Sequence, residues 1–416
     1  MSISASDTSA EHIKHDKGSD MTPPALRSTD RILTTHVGSL VRPDDLVSAM
    51  QQRRAGNGMS DADFNALLSR CVHDVVGRQA EAGIDLVSDG EFGKTISWSR
   101  YILERLNGFE DRSADVPARP LGPRTDVEQF PEFYAEYNEH QGFEEVMRNP
   151  VCVGAISYAG HEAIKRDIAN ATSALEATLA AGHDVTAFLP VVAPASVAYK
   201  RQDEHYQSEE DYVFAVADAL SEEYRAIIDA GLMLQIDDAH LPMMYDNIVN
   251  PGTPDDFRRW ARLRIDALNH ALTGIPTERT RYHVCWGSFN SPHTGDVPFQ
   301  EIADLVLSVN VGGYAIEMAN PRHEHEWRVW ESLHLPDDKV LLPGVIAHTT
   351  NVVEHPELVA ERLVRLAKLV GRERVIGSTD CGFAQGPYVR RVHPSIMWAK
   401  LGALVEGARL ASAQLW

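Results

Sequence analysis

Leu232-Met233-Leu234-Gln235-Ile236-Asp237 is a short apolar run ending on an acid. A helical pattern follows at residues 254–272, and then a second run of the same kind, Tyr282-His283-Val284-Cys285-Trp286. Apolar runs this short, separated by helix-length patterns, read as strands buried on both faces. Working outward, the same alternation continues in both directions. Strand-like runs lie at 32–39, 84–91, 184–192, 232–237, 282–286, 313–317, 340–346 and 375–381. Helical spacing lies at 61–82, 209–230, 254–272, 299–309 and 356–370. Eight such strands predict an α/β fold, a single (β/α)8 TIM-type barrel over residues 31–416. An extra extended run at 151–158 and a polar, aromatic-rich stretch before it predict an inserted segment between strands 2 and 3, at about residues 106–160. A doubly wound open sheet is the rival fold, but no Gly-rich dinucleotide fingerprint opens any of these units.

Composition narrows the function classes. A net charge of -21 argues against nucleic acid and anionic membranes as partners, because phosphate contacts need a basic surface. No apolar run approaches the roughly 20 residues that span a bilayer. Residues 1–30 mix Ser, Asp, His, Lys and Pro without periodicity or a secretory core, and read as a disordered leader, with Met21 an alternative start. Four cysteines in 416 residues do not make a disulfide framework, and free thiols point to the cytoplasm. Cys71 lies in a helical pattern and Cys152 in a strand-like run, so both read as packing residues.

Cys285 and Cys381 differ, since each ends a strand among polar neighbours. With His283 and Glu317 they offer two thiolates, an imidazole and a carboxylate, a donor set that suits zinc. His283 and Cys285 are two apart on one strand, so both can face the barrel mouth. A structural zinc site would use closed Cys/His sets at short spacings; these ligands come from three separate strand ends, which favours a catalytic site. Strand ends are where barrel enzymes place reactive groups, and Ser39, Glu91, Asp237 and His348 end strands too. His323 and His325 lie in a charged stretch and read as solvated surface.

Seven motifs in order also carry a resemblance. They are Thr34-Thr35-His36-Val37-Gly38-Ser39, Asp89-Gly90-Glu91, Gln235-Ile236-Asp237-Asp238, His283-Val284-Cys285, Ile316-Glu317, Pro343-Gly344-Val345 and Asp380-Cys381-Gly382. Together they resemble the C-terminal, catalytic barrel of the cobalamin-independent methionine synthase family, from about residue 31 to 390. The resemblance implies zinc held by His283, Cys285, Glu317 and Cys381, with Glu317 the ligand exchanged when the acceptor thiol arrives. It implies that Ser39 and the backbone near Gly38 hold the acceptor's carboxylate, and that Glu91 and Asp237 grip its ammonium. His348 matches a histidine that assists proton transfer near the donor. These roles agree with the chemistry: a thiol with a pKa of about 8.5 is mostly protonated at neutral pH, and zinc would keep it ionised.

The sequence departs from the family in two places. The family's full-length enzymes carry a second, N-terminal barrel, for which no counterpart is read here. The segment expected to pack on a folate ring reads Val192-Ala193-Pro194-Ala195-Ser196, with Tyr199 and Lys200 near the position of the family's tryptophan; Trp98 is a substitute candidate. The leading expectation is therefore a zinc-dependent methyl or alkyl transferase acting on a homocysteine-like thiol, with the donor (folate, corrinoid carrier or epoxide) left open. Epoxide opening in the manner of epoxyalkane:coenzyme M transferase is one alternative. Coenzyme M carries a sulfonate that Arg42, Lys94 or Arg100 could meet. A zinc-dependent lyase or hydrolase is the other. Expected partners are the thiol and its methyl or alkyl donor, with a homo-oligomer left open.

Overall fold

The computed structural model describes residues 26–112, 123–140, 150–198 and 201–416, leaving out the side chains of 138–140. Most of the expected leader, and Tyr199 and Lys200, lie outside these. Ten strands are present among the described residues. In chain order they are β1 (Leu33–Thr34), β2 (Leu86–Ser88), β3 (Leu106–Asp111), β4 (Pro150–Tyr158), β5 (Thr186–Val192), β6 (Met233–Asp237), β7 (Thr280–Val284), β8 (Gly313–Ile316), β9 (Val340–Ile346) and β10 (Ile376–Thr379). Eight form one parallel sheet in the order β1-β10-β9-β8-β7-β6-β5-β2. A parallel bridge from Thr35 to Leu86 brings its two edges together, so the expected (β/α)8 barrel is what forms. β3 and β4 pair antiparallel outside the ring, as the inserted segment between the second and third barrel strands.

Local sequence explains the outer helices. The helix Asp61–Glu81 begins at Ser60, whose hydroxyl accepts the Asp63 N–H. Thr253 and Asp256 form a reciprocal capping box ahead of Pro254–Ala271. Each helix buries one apolar stripe on the sheet; Cys71 lies in the stripe of Asp61–Glu81, and Cys152 is buried in β4, both as packing residues. No helix among the described residues is long and apolar enough to cross a membrane.

Six of the eight barrel strands are shorter than the apolar runs that predicted them, β9 matches its run and β7 lies two residues earlier; residues past the C-terminal ends build the mouth. Beyond Thr35 the chain leaves the ladder because side chains take over its N–H groups. Val37 N–H donates to Thr379 Oγ1 at 3.2 Å and Gly38 N–H to His36 Nδ1 at 3.1 Å. The barrel interior is polar just below this level. Arg281 on β7 is fully buried and crosses to the first strand's exit, donating to Thr35 Oγ1 and the His36 carbonyl, both at 2.8 Å. Its guanidinium lies over the Phe188 ring, 3.6 Å from the centroid. Gln235 on β6 donates to the Val37 carbonyl and, at 2.7 Å, to Asp237. Under this layer Leu86, Phe188, Met233, Ala315, Leu342 and Ile376 fill the barrel floor.

Gly344 shows how tightly β9 and β10 meet. A Cβ there would lie 2.6 Å from Asp380 Cα and 2.8 Å from its backbone nitrogen. Gly344→Ala is expected to lower stability by about 1–3 kcal/mol, as overpacking of a closed core does. A shift of the urea midpoint at unchanged slope measures it.

Candidate functional site

Register brings three ligand atoms together at the barrel mouth. On β7, His283 pairs with Asp237 of β6 and Ala315 of β8, and Cys285 follows two residues on. A carbonyl can only accept, so His283 Nδ1–H donates to the Ala315 oxygen at 3.2 Å. That bond fixes the tautomer and leaves Nε2 with a lone pair, buried and without a hydrogen-bond partner among the described residues. Burial lowers the imidazole pKa to about 3, so the ring is neutral. Cys381, just past β10, brings its sulfur to 3.7 Å from that of Cys285. The three atoms lie within 4.8 Å of one another and make a possible metal-ligand group. The contact with Cys381 and burial push the Cys285 thiol well above its ordinary pKa. A thiol raised in this way ionises readily only beside a compensating cation.

Glu317 ends β8 beside this trio but belongs to a second group of the same kind, with His348 and Asp380. Its Oε2 accepts the Trp286 N–H at 3.1 Å and its Oε1 the Asn320 amide at 2.9 Å. Asp380 Oδ1 accepts the N–H groups of Met318 and Ala319, each at 2.8 Å, and its Oδ2 is buried without a partner among the described residues. Burial, then Glu317, push the Asp380 carboxyl well up; burial raises Glu317 as well. His348 is 1% exposed, both ring nitrogens lack a partner among the described residues, and burial depresses its pKa well below the usual value. The sequence quoted Asp380 in a motif without a role; it stands here as the partner of Glu317 and His348.

A pocket opens from the thiols toward the other side of the barrel. Ser39, Glu91, Trp98, Asp237, His283, Cys285 and Cys381 all line it, which gathers most of the residues singled out by sequence. Gly38 lies just behind. At φ +127° a Cβ there would meet Pro190 at 2.9 Å and the Glu91 carboxylate at 3.1 Å. Glu91 itself has φ +61°, a sparsely populated conformation for a residue with a side chain, held at a turn that aims it inward. Its carboxylate is 3.2 Å from the buried Lys94 ammonium. Burial, then Glu91, push the Asp237 carboxyl well above its usual pKa. The Ser39 hydroxyl is buried without a partner among the described residues. Trp98 stacks on His240, with ring centroids 5.2 Å apart. Arg42 is buried and donates to the backbone carbonyls of Glu91 and Lys94.

His323 corrects the sequence reading. It is 2% exposed rather than solvated, while His325 is exposed as expected. Its Nε2 meets Asp296 at 2.9 Å and its Nδ1 meets Glu326 at 2.9 Å; His293 Nδ1 meets the same Asp296 oxygen at 2.7 Å. Burial is the largest single influence and opposes their charge, but the bonds to Asp296, the Glu326 bond to His323 and the charges of Asp296 and Glu317 together outweigh it and lift both imidazoles to about 9.

The fold and mouth define a barrel protein with possible metal ligands at its strand ends. No family model matches the chain. It is 24% identical over 388 residues to the uncharacterized protein YxjH of Bacillus subtilis (strain 168), covering 89% of this chain and 92% of that one. To a methionine synthase of Saccharolobus solfataricus it is 23% identical over 385 residues, covering 92% and 95%. A solved B12-independent methionine synthase from Shewanella sp. W3-18-1, in complex with selenomethionine, superposes with a TM-score of 0.66 at 20% identity, covering 92% of this chain and 99% of that one. The likeness to the cobalamin-independent methionine synthase family thus runs along nearly the whole chain.

The histidine pair makes stability depend on pH. A group whose pKa is raised by folding stabilises below its unfolded value and stops doing so above its folded one. With unfolded histidine near 6.5 and folded values of about 9, stability falls as pH rises from about 7 to 9. Denaturant midpoints across that range should drop in the parent chain and drop less in Asp296→Asn.

Proposed function

We propose that the protein transfers a methyl, or another alkyl, group to the thiol of a homocysteine-like acceptor, with zinc as its resident metal. One observation carries this reading: the pocket is lined by a Cys/Cys/His ligand set and by two carboxylates, with no Lys or Arg among the described residues that line it. The names of the methionine synthase relatives point the same way.

The donor set fits zinc. Thiolates at about 2.3 Å from a tetrahedral zinc stand about 3.8 Å apart, close to the 3.7 Å between Cys285 and Cys381. The neutral His283 offers an oriented, unpartnered Nε2. Cys285, Cys381 and His283 would hold the metal, and Glu317 would complete or leave its shell. Zinc bound there would supply one thing, a lowered pKa for the acceptor thiol at neutral pH.

The chain's own residues do the rest. Glu91 and Asp237 would pair with the acceptor's ammonium, whose charge would favour the ionised form of Asp237. Ser39 would donate its hydroxyl to the acceptor's carboxylate. In the transfer the sulfur lone pair forms the new S–C bond, and the broken bond's electron pair leaves with the donor's leaving atom. His348, kept neutral by burial, would relay a proton to that atom where it is a nitrogen, taking one at its second ring nitrogen as it gives up its N–H, with the raised Asp380 carboxyl in the same group as the source.

Coenzyme M fits less well. Its sulfonate would enter a pocket lined by two acids, while Arg42 serves backbone carbonyls and Lys94 serves Glu91. A hydrolase or lyase fits less well too, because three anionic ligands make a poor Lewis acid for water.

Cys285→Ser and Cys381→Ser should each lose stoichiometric zinc with the barrel folded, as metal analysis and circular dichroism would record. Retained zinc in both would remove the site. X-ray absorption on the zinc-loaded chain should gain one sulfur with homocysteine and none with coenzyme M; the reverse result would reverse the acceptor. Glu91→Gln should weaken the acceptor about 10-fold or more, the scale of losing one charged contact. His348→Asn should slow turnover about 10²-fold or more with a donor that needs a proton, at unchanged zinc content. Loss of zinc there would instead make His348 a ligand.

A further inference from the structure

The two hydrogen bonds that hold Glu317 come from residues with one neighbour in common. Trp286 N–H binds Oε2 and the Asn320 amide binds Oε1. The Trp286 indole lies against the His323 ring, centroids 3.8 Å apart and planes 17° from parallel. The Asn320 carbonyl accepts the His323 N–H at 2.8 Å, which closes the turn that presents the Asn320 side chain. His323 therefore touches both donor residues, Trp286 through its ring and Asn320 through its backbone N–H, although it lines no part of the acceptor pocket.

The ring is itself immobilised. Asp296 and Glu326 bind its two nitrogens, and Glu326 also accepts the Phe299 N–H at 2.7 Å. A ring bonded at both edges and stacked on one face has no rotation left. The loop carrying Asp296 is fastened in turn to the inserted segment. Asp126, on the helix Arg124–Gln129, accepts the N–H groups of Thr294 at 2.8 Å and Gly295 at 3.2 Å. Contacts thus run unbroken from the inserted segment to the carboxylate.

We propose that His323 is a positioning residue for Glu317, fixing the two donors that decide where its carboxylate sits between the thiol–imidazole trio and the His348–Asp380 pair. This rests on the metal reading above. Glu317 has neighbours on both sides, so its competence as an exchangeable ligand depends on how firmly these two donors hold it. Outer partners of metal ligands act in this way, and their loss typically weakens metal binding about 10–100-fold.

A double-mutant cycle on the full chain tests it, with zinc affinity from chelator competition and the visible spectrum of the cobalt(II)-loaded protein as readouts. His323→Gln should weaken zinc about 10–100-fold and give the cobalt spectrum of Glu317→Gln. The combined variant should bind zinc no more weakly than Glu317→Gln alone, because both changes remove the same interaction. Additive losses, or an unchanged affinity in His323→Gln, would overturn the proposal. Should His323→Gln fold poorly, Asp296→Asn, which keeps hydrogen-bonding atoms beside both histidines, enters the same cycle under the same two criteria. Cys285→Ser and Cys381→Ser run alongside: zinc retained in both would overturn the metal reading itself, whereas zinc lost there with additive His323 effects removes only the positioning role.

Discussion

Everything at the mouth depends on closing a ring of short parallel strands, and the closure is made by side chains as much as by the ladder. β1 has only two residues, and one bridge, Thr35 to Leu86, joins it to β2. That seam would be weak alone. Arg281 crosses the interior from the far side of the barrel to grip Thr35 and His36, and Gln235 grips Val37. A buried guanidinium is costly unless its donors are met, so these contacts hold the first strand's exit in one place. Because that exit carries Val37, Gly38 and Ser39, the bonds that shut the ring also shape one wall of the pocket.

Electrostatics then divides the mouth into two regions. Within the thiol–imidazole trio, burial keeps His283 neutral, and Cys381 and burial hold Cys285 as a thiol. Glu317, His348 and Asp380 form an acidic, desolvated group beside it, and the charged His293–Asp296–His323 cluster lies behind. Both imidazoliums act favourably on Glu317, which supports its ionised form against burial. A cation bound at the trio would act in the same direction. The arrangement is poised for positive charge, which is what an electron-rich ligand set requires.

Much of this was legible in the chain because it follows from period and position. Eight apolar runs became eight barrel strands, and the i, i+2 spacing of His283 and Cys285 placed both on one side of β7, as a pleated strand must. Strand ends were less legible. The ladder at 32–39 stops after Thr34 because His36 and Thr379 compete for backbone N–H groups, a contest that no local periodicity records. His323 was misread for a similar reason. Arg322, Glu324 and His325 make its neighbourhood look solvated, yet the 3-10 helix Glu324–Glu331 that follows packs Glu326 and Trp330 inward, and His323 at its N-cap is buried with them. The acid that makes His323 tolerable inside is Asp296, 27 residues away on another loop. Likewise, the grouping of Glu317 with Asp380 and His348 joins three strand ends whose adjacency exists only once the barrel closes.

The same closure bears on acceptor chemistry. Rim cations that follow β1 and β2 look available in sequence to any anionic ligand. In the fold Arg42 donates inward to the carbonyls of Glu91 and Lys94, and so stabilises the strained turn that aims Glu91 at the pocket. Lys94 pairs with Glu91 from behind and lies 4.5 Å over the Tyr101 ring. Both cations thus act on Glu91, Arg42 through its backbone carbonyl and Lys94 through its carboxylate. Replacing them as ligand contacts would cost the geometry of Glu91 as well as an ion pair buried on both sides. On the proposed function, a pocket built this way would favour a positive group on its ligand, and an acceptor without one would leave Glu91 and Asp237 together in a site that burial has already made hostile to two negative charges.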